Sequence, residues 1–229
     1  MSKTEISIII PVYNESEGLA ALFAVLEPLK DECEIIFVDG GSSDGTPEMI
    51  EKLGGTLLRS PKGRANQMNH GAAAAKGEVL CFLHADSTPP ASALSQIREV
   101  LGRGYRIGCF PLRFSCNHPF MLIHALLSNL RVRVRGIAFG DQGIFLQKSL
   151  FDELGGFASI PLMEDYQLSL DVSKAGYTFG MAKGKMITSA RRYMAGGRLR
   201  TMWRMKKLQR RFRRGDNIEE IANAYKMGG

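Results

Sequence analysis

Three times in the first hundred residues an apolar run breaks into a polar loop and then into a helical pattern, and a fourth apolar run follows at 79–83. Units of about 25 to 30 residues in strand–loop–helix order call for right-handed crossovers, and these build a largely parallel sheet flanked by helices. The run Val79 to Leu83 suits a parallel strand buried on both faces, the run through Ile8, Ile9 and Ile10 reads as another buried strand, and Ile35 to Val38 and Leu57-Leu58 mark two more strands. Pro11 is expected to stop regular pairing and open a loop. Ser16 is expected to cap the helix in which Leu19, Leu22, Phe23, Leu26 and Leu29 fall at helical spacing. The expected class is therefore α/β with a mostly parallel, Rossmann-like sheet, its first strand running from Glu5.

The pattern is less regular after Leu101. A long strand is expected over 106–114, a helix over 119–130, a strand over 143–147 and a short helix over 148–154. A further helix over 164–175 turns Leu168 and Val172 to the core and ends at Gly176, and a last strand covers 177–181. From Gly197 to about Arg214 the spacing predicts a helix with Met202, Met205, Leu208 and Phe212 on one side, followed by a short helix over 216–225. No internal repeat and no low-complexity linker divides the chain.

Charge is unevenly placed. The 229 residues carry a net +7, yet between Val172 and Gly215 there are fourteen Lys or Arg and no Asp or Glu. A basic helical segment of this kind suits phosphates, in a small substrate or on an anionic membrane surface, and nucleic acid is the weaker option. Two readings stand for the helix after Gly197: it lies on a membrane, or it packs on its own protein with a solvated basic face. There is no run of eighteen apolar residues, and the N-terminus leads straight into a strand pattern, so the chain is expected to be cytoplasmic, with a peripheral position at the inner face of the membrane. Cys33, Cys81, Cys109 and Cys116 are scattered without zinc-type spacing and are read as reduced thiols.

Four polar clusters fall where strands are expected to end: Tyr13-Asn14-Glu15, Asp39 with Ser42 to Asp44, His84-Ala85-Asp86, and Gly140-Asp141-Gln142. In a parallel sheet at least the first three gather along the carboxyl edge, where ligands bind. Asp39 can accept from a ring N–H or a ribose hydroxyl, and Gly40 and Gly41 let a ligand approach the backbone. The plainer reading of that loop is a flexible turn ending in a helix cap. His84 and Asp86, two apart on an extended segment, lean to one face and could hold Mn²⁺ or Mg²⁺ with substrate phosphates. Arg64 could meet the same phosphates. Glu164 and Asp165 open a helix, where acids also occur simply to complement the dipole.

The run Ser7-Ile8-Ile9-Ile10-Pro11-Val12-Tyr13-Asn14-Glu15, the loop Val38 to Thr46, the His84-Ala85-Asp86 triplet and Met163-Glu164-Asp165, in that order and spacing, resemble family 2 glycosyltransferases. The resemblance covers most of the first 175 residues. It implies a GT-A fold, a nucleoside-diphosphate-sugar donor (UDP- or GDP-sugar), a divalent metal (Mn²⁺ or Mg²⁺) and inversion at the anomeric carbon. Gly140-Asp141-Gln142-Gly143-Ile144-Phe145 and Leu154-Gly155-Gly156-Phe157 look like a short bacterial subgroup found beside radical-SAM and selenium- or arsenic-related genes. By resemblance, Pro11, Tyr13 and Glu15 lie around nucleobase and ribose, with Asp39 on the base. Asp86 matches the last carboxylate of an Asp-x-Asp metal motif, and Asp165 matches the catalytic base, Glu164 being the second choice. Gly40, Arg64, Asp141, Arg191 and Arg192 complete the expected donor site.

Two departures stand out: His84 replaces the first carboxylate of the metal motif, and Gly40 follows Asp39 where a second carboxylate is usual. The family's Gln-x-x-Arg-Trp motif is not present near Arg191-Arg192-Tyr193, which argues against a processive synthase and for transfer of a single sugar to a small or lipid-linked acceptor. Residues 1–190 are then expected to form the transferase domain, with a nucleotide half to about 100 and an acceptor half beyond it, and 191–229 a basic helical extension. Two rivals remain. A nucleotidyltransferase would want a Gly-rich phosphate loop after the first strand, which 11–15 does not supply. A nucleotide-binding module without catalysis, tethered by its basic tail, is kept open by His84.

Overall fold

The computed structural model describes residues 6–195 and 197–227. Glu5 and Gly196 lie outside them, as do residues 228–229, where fraying is expected. Among the described residues seven strands form one sheet, in the order β3 (Thr56–Arg59), β2 (Glu34–Asp39), β1 (Ile6–Val12), β4 (Val79–Phe82), β8 (Phe145–Gln147), β6 (Ile107–Cys109) and β9 (Phe179–Met181). The first four run parallel, β8 is antiparallel to both neighbours, and β6 and β9 are parallel to each other. This is the expected α/β sheet, of GT-A type.

Alternation along β1 divides the core between the two faces of the sheet. Ile8 and Ile10 join Phe37 under α1 (Ser16–Leu26) and α4 (Ala93–Gly102), through Leu19, Leu22, Leu26 and Ile97. Ile9 joins Ile36 and Val38 on the other face, covered by Met68 and Ala72 of α3 (Arg64–Ala74), Leu150 of α6 (Lys148–Glu153), and Leu168 and Val172 of α7 (Glu164–Lys174). The helix α2 (Thr46–Lys52) follows the β2 loop.

Several expectations are corrected. Pro11 does not end β1: it pairs with Val38, and Val12 with Asp39. The Ile9 carbonyl accepts from Leu83 on the β4 side, so the Pro11 nitrogen two residues on faces the same side, where the pairing with β4 ends at Ile9 and Phe82. Its missing N–H therefore costs no ladder bond. Ser16 is the first residue of α1, whose cap position is Glu15; the Ser16 N–H donates instead to Asp44 Oδ2 at 3.0 Å. The strand expected over 106–114 divides at Pro111 into β6 and β7 (Leu112–Phe114), which belong to different sheets. With β5 (Ser87–Thr88) and β10 (Met186–Thr188), a strand the sequence reading missed, β7 makes a small sheet in the order β5-β10-β7.

The helix expected over 119–130 continues to Arg135 as α5 (Pro119–Arg135) and stops at Gly136, whose φ of 62° caps it. At the C-terminus α8 (Arg191–Ala195), α9 (Arg198–Arg213) and α10 (Ile218–Lys226) follow one another. Met205, Leu208 and Phe212 of α9 pack with Ile221 of α10 on Ile137, Met163 and Tyr166. Met205, Leu208 and Phe212 of the basic helix are thus turned onto its own protein, while Leu199 and Trp203 of the same helix stay exposed. Among the described residues no helix is long and apolar enough to cross one.

Candidate active site

The loops after β1 and β2 are tied to one another. The Asn14 N–H donates to Ser42 Oγ at 2.8 Å, the Ser43 N–H to Asn14 Oδ1 at 2.9 Å, and the Glu15 N–H to Thr46 Oγ1 at 2.9 Å. The Thr46 hydroxyl is the first of several donors that hold the Asp44 carboxyl well below the usual carboxylate range. From α3, Gln67 Nε2 donates to the carbonyls of Val12 and Val38, each at 2.7 Å, and so joins the ends of both strands. A Cβ on Gly40 would come within 3.0 Å of that Gln67 amide. Asp39, 2% exposed, spends its carboxylate on its own loop, accepting from the Gly41 and Ser42 N–H groups and the Ser42 hydroxyl.

His84 and Asp86 follow β4, and Gly140 to Gln142, a single 3-10 turn, meet them from the other side. The reason lies in strand direction: β8 is antiparallel, so its beginning lies beside the end of β4, with the Phe82 N–H donating to the Ile144 carbonyl at 2.8 Å. The fourth cluster therefore precedes its strand instead of ending one. A Cβ on Gly140 would stand 2.3 Å from His84 Nε2, so the backbone lies directly against the imidazole. Asp86 is exposed, while Asp141 lines the cleft with its Oδ1 buried and without a hydrogen-bond partner among the described residues. Burial, opposed by Arg131 and reinforced by Asp165 and Asp86, pushes the Asp141 carboxyl up to about 6.

Opposite them α7 begins. Met163 at its N-cap holds φ 69°, one of two non-glycine residues described with positive φ, and it is 3% exposed. Strain of this kind persists only where surrounding contacts enforce it, and it sets the direction of the next two side chains. Glu164 is buried beside Arg64, whose Nη1 stands 3.5 Å from Glu164 Oε1. Asp165 accepts from the Gly140 N–H through Oδ2 at 2.8 Å and from the Tyr166 N–H through Oδ1 at 2.7 Å. Burial raises both acids; at Asp165 the Gly140 N–H and the Arg64 charge oppose it. Partial desolvation in the cleft works against the charge on Arg64, whose side chain stays 44% exposed, and Glu164, Asp165 and Asp86 outweigh it and raise its pKa.

Arg131 was not singled out in the sequence. It stacks 4.0 Å from the Phe139 ring centroid and donates to the Ile137 carbonyl and to Gln142 Oε1, which places its charge beside Asp141 and Asp165. One basic residue among several at a helix end gives no sequence signal for this; the contact is made by folding. The missed strand β10 is followed at once by Ser189, whose N–H donates to the Asp86 carbonyl at 3.3 Å and whose hydroxyl accepts from the Arg191 N–H. Arg191 thereby lines the same cleft as Glu15, and the charges of Asp86 and Arg191 both act on Glu15, whose pKa is raised chiefly by burial. The side chain of Arg192 lies outside the described residues. Tyr13 is 39% exposed with Lys62 Nζ 3.6 Å over its ring, and it does not line the cleft.

These residues share one cleft of about 1560 Å³, lined by Pro11, Glu15, Arg64, His84, Asp86, Asp141, Glu164, Asp165 and Arg191. That is larger than the roughly 300–1,000 Å³ of a small-ligand pocket, so two substrates have room. Among the described residues no three His, Cys, Asp or Glu side chains are gathered to cage a metal ion. A hard cation seldom needs such a cage, since it takes one or two carboxylates and fills its shell with phosphate oxygens and water. The exposed Asp86 and the unpartnered Asp141 oxygen within its field fit that kind of ion.

The sequence matches the model of Glycosyl transferase family 2 over residues 7–160. It is 31% identical over 163 residues to an undecaprenyl-phosphate 4-deoxy-4-formamido-L-arabinose transferase of Aeromonas hydrophila, covering 64% of this chain and 50% of that protein. It is 25% identical over 200 residues to the probable glycosyltransferase YdaM of Bacillus subtilis, covering 76% and 47%. The chain thus spans about half the length of these curated relatives. Among solved structures, it resembles the mannosyltransferase PcManGT of Pyrobaculum calidifontis in complex with GDP-Man and Mn²⁺, with a TM-score of 0.67, 20% identity and coverage of 89% and 61%. It also resembles S. aureus TarS 1-349 in complex with UDP-GlcNAc, with a TM-score of 0.63, 17% identity and coverage of 81% and 58%.

Proposed function

The chain belongs to Glycosyl transferase family 2, and on that footing we propose that it moves a single sugar from a UDP- or GDP-sugar to a lipid-linked acceptor, with inversion at the anomeric carbon. The observation that carries this reading is the meeting of Asp86, Asp141, Glu164 and Asp165 with Arg64 and Arg191 in one cleft at the carboxyl edge of the parallel strands. Asp165 takes the acceptor proton: it is held between the Gly140 and Tyr166 amides, and burial raises its proton affinity toward that of a useful base. Glu164 positions Arg64 through their ion pair. Arg64 and Arg191 face the diphosphate and stabilise the charge that develops on it as the glycosidic bond breaks.

A divalent ion, Mn²⁺ or Mg²⁺, held by Asp86 with His84 beside it, supplies further neutralisation of the departing diphosphate when bound. Pro11 and Glu15 line the nucleotide side of the cleft, while Asp39 and Gly40, expected there from the sequence, do not line it and stand in the β2 loop, where the Asp39 carboxylate is held by Gly41 and Ser42. The lipid-linked acceptor is favoured by the undecaprenyl phosphate in the name of the Aeromonas relative and by the apolar lining of the cleft, through Leu127, Leu130 and Val134. Residues 1–190 form the transferase domain in this reading, 191–229 its basic extension, and the likeness of the Gly140 to Phe145 motif supports membership of the short bacterial subgroup. Isothermal titration with UDP and GDP, with and without Mn²⁺, tests the donor site. A panel of UDP- and GDP-sugars with detergent-solubilised lipid acceptors then tests transfer. Absence of binding to either nucleotide under any metal condition would refute the proposal.

A further inference from the structure

The helix α5 is apolar on two opposite sides. Met121, Ala125 and Val132 face the protein, whereas Leu122, Ile123, Leu126, Leu127, Leu130 and Val134 are 49–71% exposed. Their spacing of i, i+1, i+4, i+5, i+8 and i+12 makes one continuous outer stripe. Monomeric proteins seldom present so concentrated an apolar surface without something to cover it. The helix carries no acidic residue, and its last turns hold Arg131, Arg133 and Arg135. Across the cleft α9 exposes Leu199 and Trp203 among eight Lys and Arg residues.

We propose that this face, the outer stripe of α5 with the basic side of α9, seats the protein on an anionic lipid bilayer, with α5 lying in the plane of the interface. A helix with an apolar face and flanking cations adopts that position, and tryptophan favours the same depth. A second copy of the chain fits less well. In a two-fold contact the same face of the second copy would cover this one, and neither α5 nor α9 carries an acidic residue to answer the cations. A bilayer of anionic headgroups answers the apolar stripe and the cations at once. The placement also gives the cleft a direction: Leu127, Leu130 and Val134 of the stripe and Trp203 of α9 line the cleft that contains Asp165. A lipid acceptor would then reach the carboxylates without leaving the bilayer. The anchoring element is α5, where the sequence alone pointed to the basic C-terminal helix.

The test is flotation of the full chain with vesicles of equal parts phosphatidylglycerol and phosphatidylcholine, and with phosphatidylcholine alone. Binding is expected to the anionic vesicles, about tenfold or more weaker without the anionic lipid or in high salt, where headgroup attraction is screened. The double variant Ile123→Glu, Leu126→Glu, at exposed positions that do not line the cleft, is expected to lose vesicle affinity about tenfold or more. Its thermal melting and nucleotide binding should be unchanged, which separates failure here from failure of the transferase reading. Wild-type protein that binds neither vesicle would overturn the proposal, as would a double variant that binds like wild type. Sedimentation showing a dimer that the double variant disperses, without vesicle binding, would assign the stripe to a second copy instead.

Discussion

The backbone N–H of Gly140 donates to Asp165 Oδ2 over 2.8 Å. One carboxylate is thus held between the turn that precedes β8 and the first turn of α7, 25 residues apart in the chain. Gly140 itself lies against the His84 ring, so the donor, the imidazole and the candidate base are set by a single close approach.

A methyl group at residue 140 should break that arrangement. In Gly140→Ala the added carbon would stand 2.3 Å from His84 Nε2, so the imidazole or the turn must shift, and the close approach that sets His84, the Gly140 amide and Asp165 is disturbed. A displacement of about 1 Å at a reacting group can cost on the order of 100-fold in rate. Steady-state kinetics are expected to show that loss in kcat with nucleotide affinity little changed.

Asp165→Asn and Glu164→Gln should separate two roles. The first removes the proposed base and should lower kcat by about 10²–10⁴-fold with a small change in KM. The second keeps the base but breaks the ion pair with Arg64, so its effect should fall mainly on the KM for the donor. Equal effects of both variants on kcat alone would contradict this division.

Asp141 predicts a pH signature in metal-free protein. Burial lifts its carboxyl to about 6 in the folded state, above the value near 3.9 of an unfolded chain. The folded state then binds more protons between those values, so this group lowers stability progressively as pH rises from about 4 to 6, and by a constant amount above that. Asp141→Asn should remove a penalty on the order of 3 kcal/mol above pH 6 and be indistinguishable from wild type near pH 4. Denaturant melts across that range measure it.

Removal of the metal should act through Asp86. In the wild-type protein Mn²⁺ is expected to tighten UDP or GDP binding, and a chelator to reverse the gain. Asp86→Ala should keep metal-free nucleotide binding and lose the Mn²⁺-dependent increment in titration calorimetry. If Mn²⁺ tightens binding equally in the variant, the ion is held elsewhere.

Much of the first hundred residues was legible in advance. Apolar runs separated by helical periods could only become buried parallel strands with crossovers, and β1, β2, β3 and β4 formed where expected, with the polar clusters after β1, β2 and β4 at their carboxyl ends. Beyond Leu101 the reading weakened because the chain there uses three-residue strands and changes sheet at Pro111. A segment as short as β10 carries too few residues for a period of two to declare itself. Pro11 misled for a related reason: whether a missing N–H matters depends on which side of the strand has a neighbour.

The sequence by itself determined the sheet, the polar residues gathered at its edge and the family of the chain, because these follow from local period and from motifs read in order. Tertiary structure alone decided how the edge is completed. Folding brings the charge of Arg131 to act on Asp141 and Asp165, Asp39 is drawn into its own loop, and the antiparallel direction of β8 brings Gly140 against His84. It decided as well that α9 turns Met205, Leu208 and Phe212 inward while α5 leaves a stripe of leucines outside. Two amphipathic patterns look alike in a sequence, since periodicity states which residues share a face, and only the neighbours in space state whether that face is covered.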